Sequence, residues 1–162
     1  IDKDGSGEIL AGPGDDKGLH HVVGSKLSRN PKEPILIADD LVSAIELNRL
    51  TQKPVVWAVK AENLKPVAEN LRRFNPKHQI VIAATDAHMA KENRPIELAQ
   101  EAANAVGATL VVPPSSQHDR ARNVTSFGEI LRHGKTSQVE KTLYKAGLKF
   151  TVLFGRTLTQ QF

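Results

Sequence analysis

The chain predicts an α/β fold, with a mostly parallel sheet of about four strands flanked by helices and an N-terminal β-hairpin. Three observations carry that prediction. Short continuous apolar runs, such as Ile35–Ala38 and Ile80–Ala84, suit strands buried on both faces. Segments with apolar residues at helical spacing alternate with them, and such alternation implies parallel strands joined by right-handed crossovers. Pro, Gly, Asn and Asp punctuate the boundaries.

Taken in order, Glu8–Ala11 and Leu19–Val23 flank the turn-rich stretch Gly12–Gly18 and read as a hairpin; the polar residues 25–34 read as a linker. Ile35–Asp39 is the first core strand. In the following helix Leu41, Ala44 and Ile45 share a face, with Asp40 as its N-cap. Pro54–Val59 is the second strand. Asn63 is the expected cap of a helix whose stripe is Leu64, Val67, Ala68, Leu71 and Phe74. Gln79–Ala84 is the third strand. Asn93 is the expected cap of a helix lined by Ile96, Ala99, Ala102, Ala103 and Val106 and closed by Gly107. Thr109–Val112 is the fourth strand, ended by Pro113 and Pro114, and residues 115–123 read as a polar loop. Ser126-x-x-Glu129 and Ser137-x-x-Glu140 carry the capping-box spacing of two short helices. Lys149–Phe154 reads as a last strand. The chain divides into hairpin and linker (1–34), α/β core (35–135) and a C-terminal helix and strand extension (136–162).

At 162 residues and 40% hydrophobic the chain suits one domain with a proper core, filled by aliphatic residues because aromatics make up only 4%. No cysteine is present, which excludes disulfides and Cys-based zinc sites and fits a reducing, cytoplasmic setting. No apolar run is long enough to span a membrane. The first residue is Ile1, so the sequence reads as one domain of a larger protein. The net charge of +4 is concentrated at the end: from Asp119 onward eight basic residues stand against three acids. Such an excess suits a polyanion partner.

Function-bearing residues should gather where strands end in carboxylates, because open α/β sheets place ligands at the carboxyl ends of their strands. Here those ends read Ala38-Asp39-Asp40, Ala84-Thr85-Asp86-Ala87 and, before a later helix, Thr125-Ser126-Phe127-Gly128-Glu129. Together with Gly18-Leu-His-His-Val-Val-Gly24, Ala61-Glu-Asn-Leu64 and Val112-Pro-Pro114, this ordered series resembles the Toprim domains of plasmid and phage primases and of primase-like regions attached to conjugative relaxases. The resemblance covers roughly residues 5–135. It implies a Toprim-like (Rossmann-like) fold and, in the family, a Glu acting as general acid/base after the first strand and an Asp-x-Asp pair holding magnesium after the third.

This chain departs from that pattern at each position. Asp39 stands for the Glu, Asp40 for a Gly, Thr85 and Ala87 for the metal aspartates, and Ser126, Gly128 and Glu129 for the later polar segment. Asp39 is one methylene short, and a misplacement of ~1 Å can cost on the order of a hundredfold in rate. The resemblance therefore implies a degenerate domain without metal-dependent chemistry. The expected role is accessory: binding or positioning single-stranded DNA, or docking neighbouring domains, within a relaxase or primase of conjugative transfer or replication. Arg120, Arg122, Arg132 and Lys135 are the expected phosphate contacts. One alternative is an active, magnesium-dependent primase using Asp39, Asp86 and Glu129, with Asp39, Asp40 and Asp86 as the remaining metal candidates. Another is a purely structural docking module.

Other motifs carry less. Asp2–Ile9 matches part of a calcium loop, but Pro13 occupies the position of the bidentate Glu. His20 and His21 are adjacent and, on a strand, face opposite sides. Asp86 and His88 make two ligands of a site that needs more. Trp57 reads as core.

Overall fold

The computed structural model describes residues 17–150. Glu8–Ala11 of the expected hairpin, the calcium-loop-like segment and the last expected strand from Thr151 onward lie outside the described residues.

Among the described residues five strands form one sheet: β1 (His21–Val23), β2 (Ile35–Ala38), β3 (Val55–Trp57), β4 (Ile80–Ala83) and β5 (Thr109–Val111). Their spatial order is β1-β3-β2-β4-β5. The four strands β2 to β5 are parallel, and β1 joins β3 antiparallel with Val22 opposite Val56. The sheet is therefore mixed and five-stranded rather than four-stranded. The second arm of the expected hairpin is its edge, because an antiparallel partner can cover the flank of β3 with three residues.

Among the described residues six α-helices cover the sheet: α1 (Leu41–Thr51), α2 (Leu64–Phe74), α3 (Arg94–Val106), α4 (Gln117–Ala121), α5 (Phe127–Arg132) and α6 (Thr136–Lys145). β2 and β4 are buried along their whole length, so alternate residues feed two cores. Leu36, Ala38, Val81 and Ala83 face α1, α5 and α6, where Phe127, Ile130, Val139, Leu143 and Leu148 are sealed. Ile35, Ile37, Ile80 and Ile82 face α2 and α3. The helix α6, placed by sequence in an extension, thus shares the core.

Several local expectations change. Ser116, not Ser137, opens a second capping box: its hydroxyl accepts from the Asp119 N–H and the Asp119 side chain takes the Ser116 N–H, making α4 out of the expected loop. α6 instead starts at Thr136 without a side-chain cap. Asn63 is buried with its amide reaching the Leu19 carbonyl, because a 3₁₀ turn over Ala61–Asn63 already leads into α2. Phe74, the last residue of α2 and of its stripe, is 65% exposed. The expected αL glycine at Gly107 is present, with φ 65°. Past β3, Val59 adopts φ 69°, and the Lys60 N–H returns to the Ala58 carbonyl at 2.8 Å. A β-branched residue in this region is strained by about 1–3 kcal/mol.

The joint between α1 and α5 is a close backbone approach. The Gly128 N–H donates to Ser43 Oγ at 2.9 Å. A Cβ at Gly128 would lie 2.6 Å from Val42 Cγ1 and 2.8 Å from the Ser43 backbone nitrogen. Only glycine allows that approach.

Candidate functional site

The carboxyl edge of the sheet is built from the residues just past β2 and β4. Register pairs Ala38 with Ala83, which brings the chain at Asp39 beside Thr85. The Thr85 N–H donates to Asp39 Oδ2 at 2.9 Å and its hydroxyl to Oδ1 at 2.8 Å. Asp39 is 5% exposed. Burial pushes its pKa up to about 6; the two Thr85 donors pull it back, and the nearby Asp40 charge adds to the rise. Asp40 turns the chain into α1, its Oδ1 accepting from the Ser43 N–H at 2.8 Å, as expected of an N-cap. Its Oδ2 is buried and accepts no hydrogen bond.

Asp86 is buried and differently engaged. Its N–H donates to the Thr125 carbonyl at 2.7 Å, tying the β4 exit to the segment before α5. Its Oδ1 accepts from Asn93 Nδ2 at 2.6 Å and its Oδ2 from Arg120 Nη2 at 3.3 Å. Asn93, expected to cap α3 through its side chain, instead binds Asp86 and the Ala87 N–H. His88 sits between two carbonyl oxygens, that of Asp86 at 3.0 Å from Nδ1 and that of Arg120 at 3.2 Å from Nε2. The loop after β4 and the helix α4, which carries Arg120, are therefore stitched together.

Glu129 closes the capping box read from sequence. Oε2 accepts the Thr125 and Ser126 N–H groups at 2.7 and 3.1 Å. Partial burial raises its pKa, but these donors outweigh burial and hold it below the ordinary carboxylate range. Among the described residues, no three His, Asp or Glu side chains stand close enough to share a metal ion. The donor set does not fit magnesium. Thr85 occupies both Asp39 oxygens, Asn93 and Arg120 hold Asp86, and Glu129 serves its own helix.

The four expected DNA-contacting cations fall in different settings. Arg120 lies on α4, half-exposed, with one guanidinium nitrogen on Asp86. Arg122, two residues on at the end of α4, is exposed and makes no side-chain ion pair among the described residues. Arg132 pairs with Glu46 at 3.4 Å across the α1–α5 joint. Lys135 is turned inward, with Nζ 2.6 Å from both carboxylate oxygens of the buried Asp119. That cation and the Ser116 hydroxyl hold the Asp119 carboxyl far below its usual range.

Sequence reasoning missed the Asp119–Lys135 pair and the Asn93–Asp86 bond. Only the Asp119 half of the first had a signal, since Ser116-x-x-Asp119 has capping-box spacing with Asp in place of Glu, a spacing that does not point to Lys135. The second had none, because Asn93 reaches Asp86 through the fold of an irregular loop.

The carboxyl edge thus holds Asp39 and Asp86 occupied by protein donors, Asp40 with one unpartnered oxygen, and the half-exposed Arg120 on Asp86, with the exposed Arg122 two residues further along the chain. The chain matches no protein-family model, no curated protein and no solved structure.

Proposed function

We propose that this domain is a Toprim-like accessory module of a plasmid or mobile-element DNA-processing protein, of relaxase or primase type, that binds single-stranded DNA by its phosphates without metal-dependent chemistry. The observation that carries the reading is that the carboxylates of Asp39 and Asp86 are occupied while Arg120, on Asp86, stays half-exposed, with the exposed Arg122 closing the same helix. Asp39 and Asp86 spend their oxygens on Thr85, Asn93 and Arg120. Arg120 and Arg122 remain at the rim, where a planar guanidinium grips a phosphate bidentately. Arg120 arrives already oriented by Asp86, so less side-chain freedom is lost on binding. Arg132 and Lys135 contribute less in this reading, since Glu46 and Asp119 already hold them.

The test is binding of the domain to fluorescent single-stranded DNA across a salt series. Affinity falls steeply with salt if phosphate contacts release counterions, and Arg122→Ala lowers the logarithmic slope by about one contact. An affinity independent of salt, or no binding at low salt, would remove the DNA role.

The docking-module alternative has its own supporting observation, an open apolar groove at the opposite sheet edge from β1.

A further inference from the structure

β5 is the outer strand of the sheet on the side away from β1. The Val111 carbonyl accepts from the Ala84 N–H at 3.1 Å, so Thr109 and Val111 direct their backbone groups toward β4. Strand alternation then directs the N–H and C=O of Leu110 and Val112 outward, where no described strand meets them. Beside this edge runs a groove of about 390 Å³, walled on one side by β5 and Pro113 and on the other by Thr142 and Lys145 of α6 and by Ala146 just after it. Val112 is 43% exposed.

The charge around the groove is one-sided. Lys145 lines it, and Lys141, one turn earlier on α6, shares that face. Both are exposed, and neither forms an ion pair or side-chain hydrogen bond among the described residues. Glu140, the acid on α6, is buried.

We infer that the β5 edge and the α6 groove bind an extended, acidic–apolar polypeptide segment of a partner protein, which adds a short strand to the sheet. The outward Leu110 and Val112 groups supply main-chain hydrogen bonds, the groove takes the apolar side chains, and Lys141 and Lys145 pair with the acids. An apolar groove beside unpaired backbone fits a peptide rather than a nucleic acid, which offers no strand to pair. Residues after Phe150 suit the groove poorly. They carry Arg156 and no acidic side chain. The end of α6 lies at the amino end of β4, where Gln79 Nε2 donates to the Ala146 carbonyl. The helix α3 carries the chain from β4 outward to β5 over one face, and α6 lies over the other. A parallel step outward from β5 through α6 therefore has the hand opposite to β4–α3–β5, against the single hand such crossovers keep. The inference is independent of the DNA reading, since the two surfaces share no residue.

The experiment is fluorescence anisotropy of the full chain with a short labelled peptide of alternating Glu and Val. Binding is expected, weakened about tenfold by the double reversal Lys141→Glu/Lys145→Glu. Val112→Asp, at an exposed position, should weaken it too without unfolding the domain. A peptide with proline at its centre, lacking a strand N–H, should bind far less. The inference is overturned if the Glu-Val peptide does not bind, if the reversed variant binds it equally, or if the proline peptide binds as well. Displacement of the peptide by single-stranded DNA, or self-association of the free chain that lysine reversal abolishes, would also overturn it by assigning the groove to DNA or to a second copy.

Discussion

Asp39 and Asp119 are both almost completely buried, and the molecule treats them in opposite ways. Asp39, past β2, meets two neutral donors from Thr85 and another acid at Asp40, and its pKa rises to about 6. Asp119, in α4, meets the Lys135 ammonium and its own helix cap, and its pKa falls. Burial is common to both; the difference is the nearby cation. Ionised Asp119 is a structural rivet, whereas ionised Asp39 is a cost the fold tolerates at the sheet edge where strands end.

The largest break in this comparison is expected from Lys135→Ala. It strands the Asp119 charge and should cost about 3 kcal/mol, at the low end for a buried pair because Lys135 is partly open to solvent. Denaturant melts check this at neutral pH. The sign follows from linkage. A depressed pKa contributes stability that is present above the ordinary carboxylate range and lost as pH falls below it, so the acid sensitivity of the wild type should shrink in the variant.

Asp39→Asn sharpens the other side. With its pKa raised, Asp39 favours the folded state when protonated, so its contribution is greatest below pH ~4, declines as pH rises to about 6 and is flat above that. The Asn variant removes this decline. It should be more stable than wild type at pH 7–8 by about 1–2 kcal/mol, the gain being limited because an amide oxygen cannot accept from both Thr85 donors as well. A loss of stability at pH 8 would show that the Asp39 charge stabilises the edge instead.

The smallest effect is expected from Thr85→Val. Removing one hydroxyl donor should cost about 1 kcal/mol at pH 8 and move the Asp39 titration above its wild-type position, as followed by carboxyl-carbon NMR.

Much of the fold was legible because burial on both faces leaves an unmistakable mark: Ile35–Ala38 and Ile80–Ala83 are apolar at every position. Asp40 and Ser126 were legible as caps because capping is local, needing residues only three apart. Partners across the fold were not. Lys135 reads as a surface cation until the turn after α5 swings it onto Asp119, and Asn93 holds the N-cap position of α3 as read, but its side chain turns to Asp86 instead of capping the helix. The edge role of β1 was hidden for the same reason, since His21–Val23 has no local mark that selects β3.

The Gly128–Ser43 seam has a consequence for where this chain tolerates being cut. The two residues are 85 positions apart, yet their backbones meet more closely than any inserted side chain would permit. A fragment ending before α5 would keep the parallel strands but leave Ala44 and Leu47 facing water on an open flank. A fusion, split reporter or expression boundary should therefore fall beyond Leu148, which among the described residues is the last one sealed against that flank.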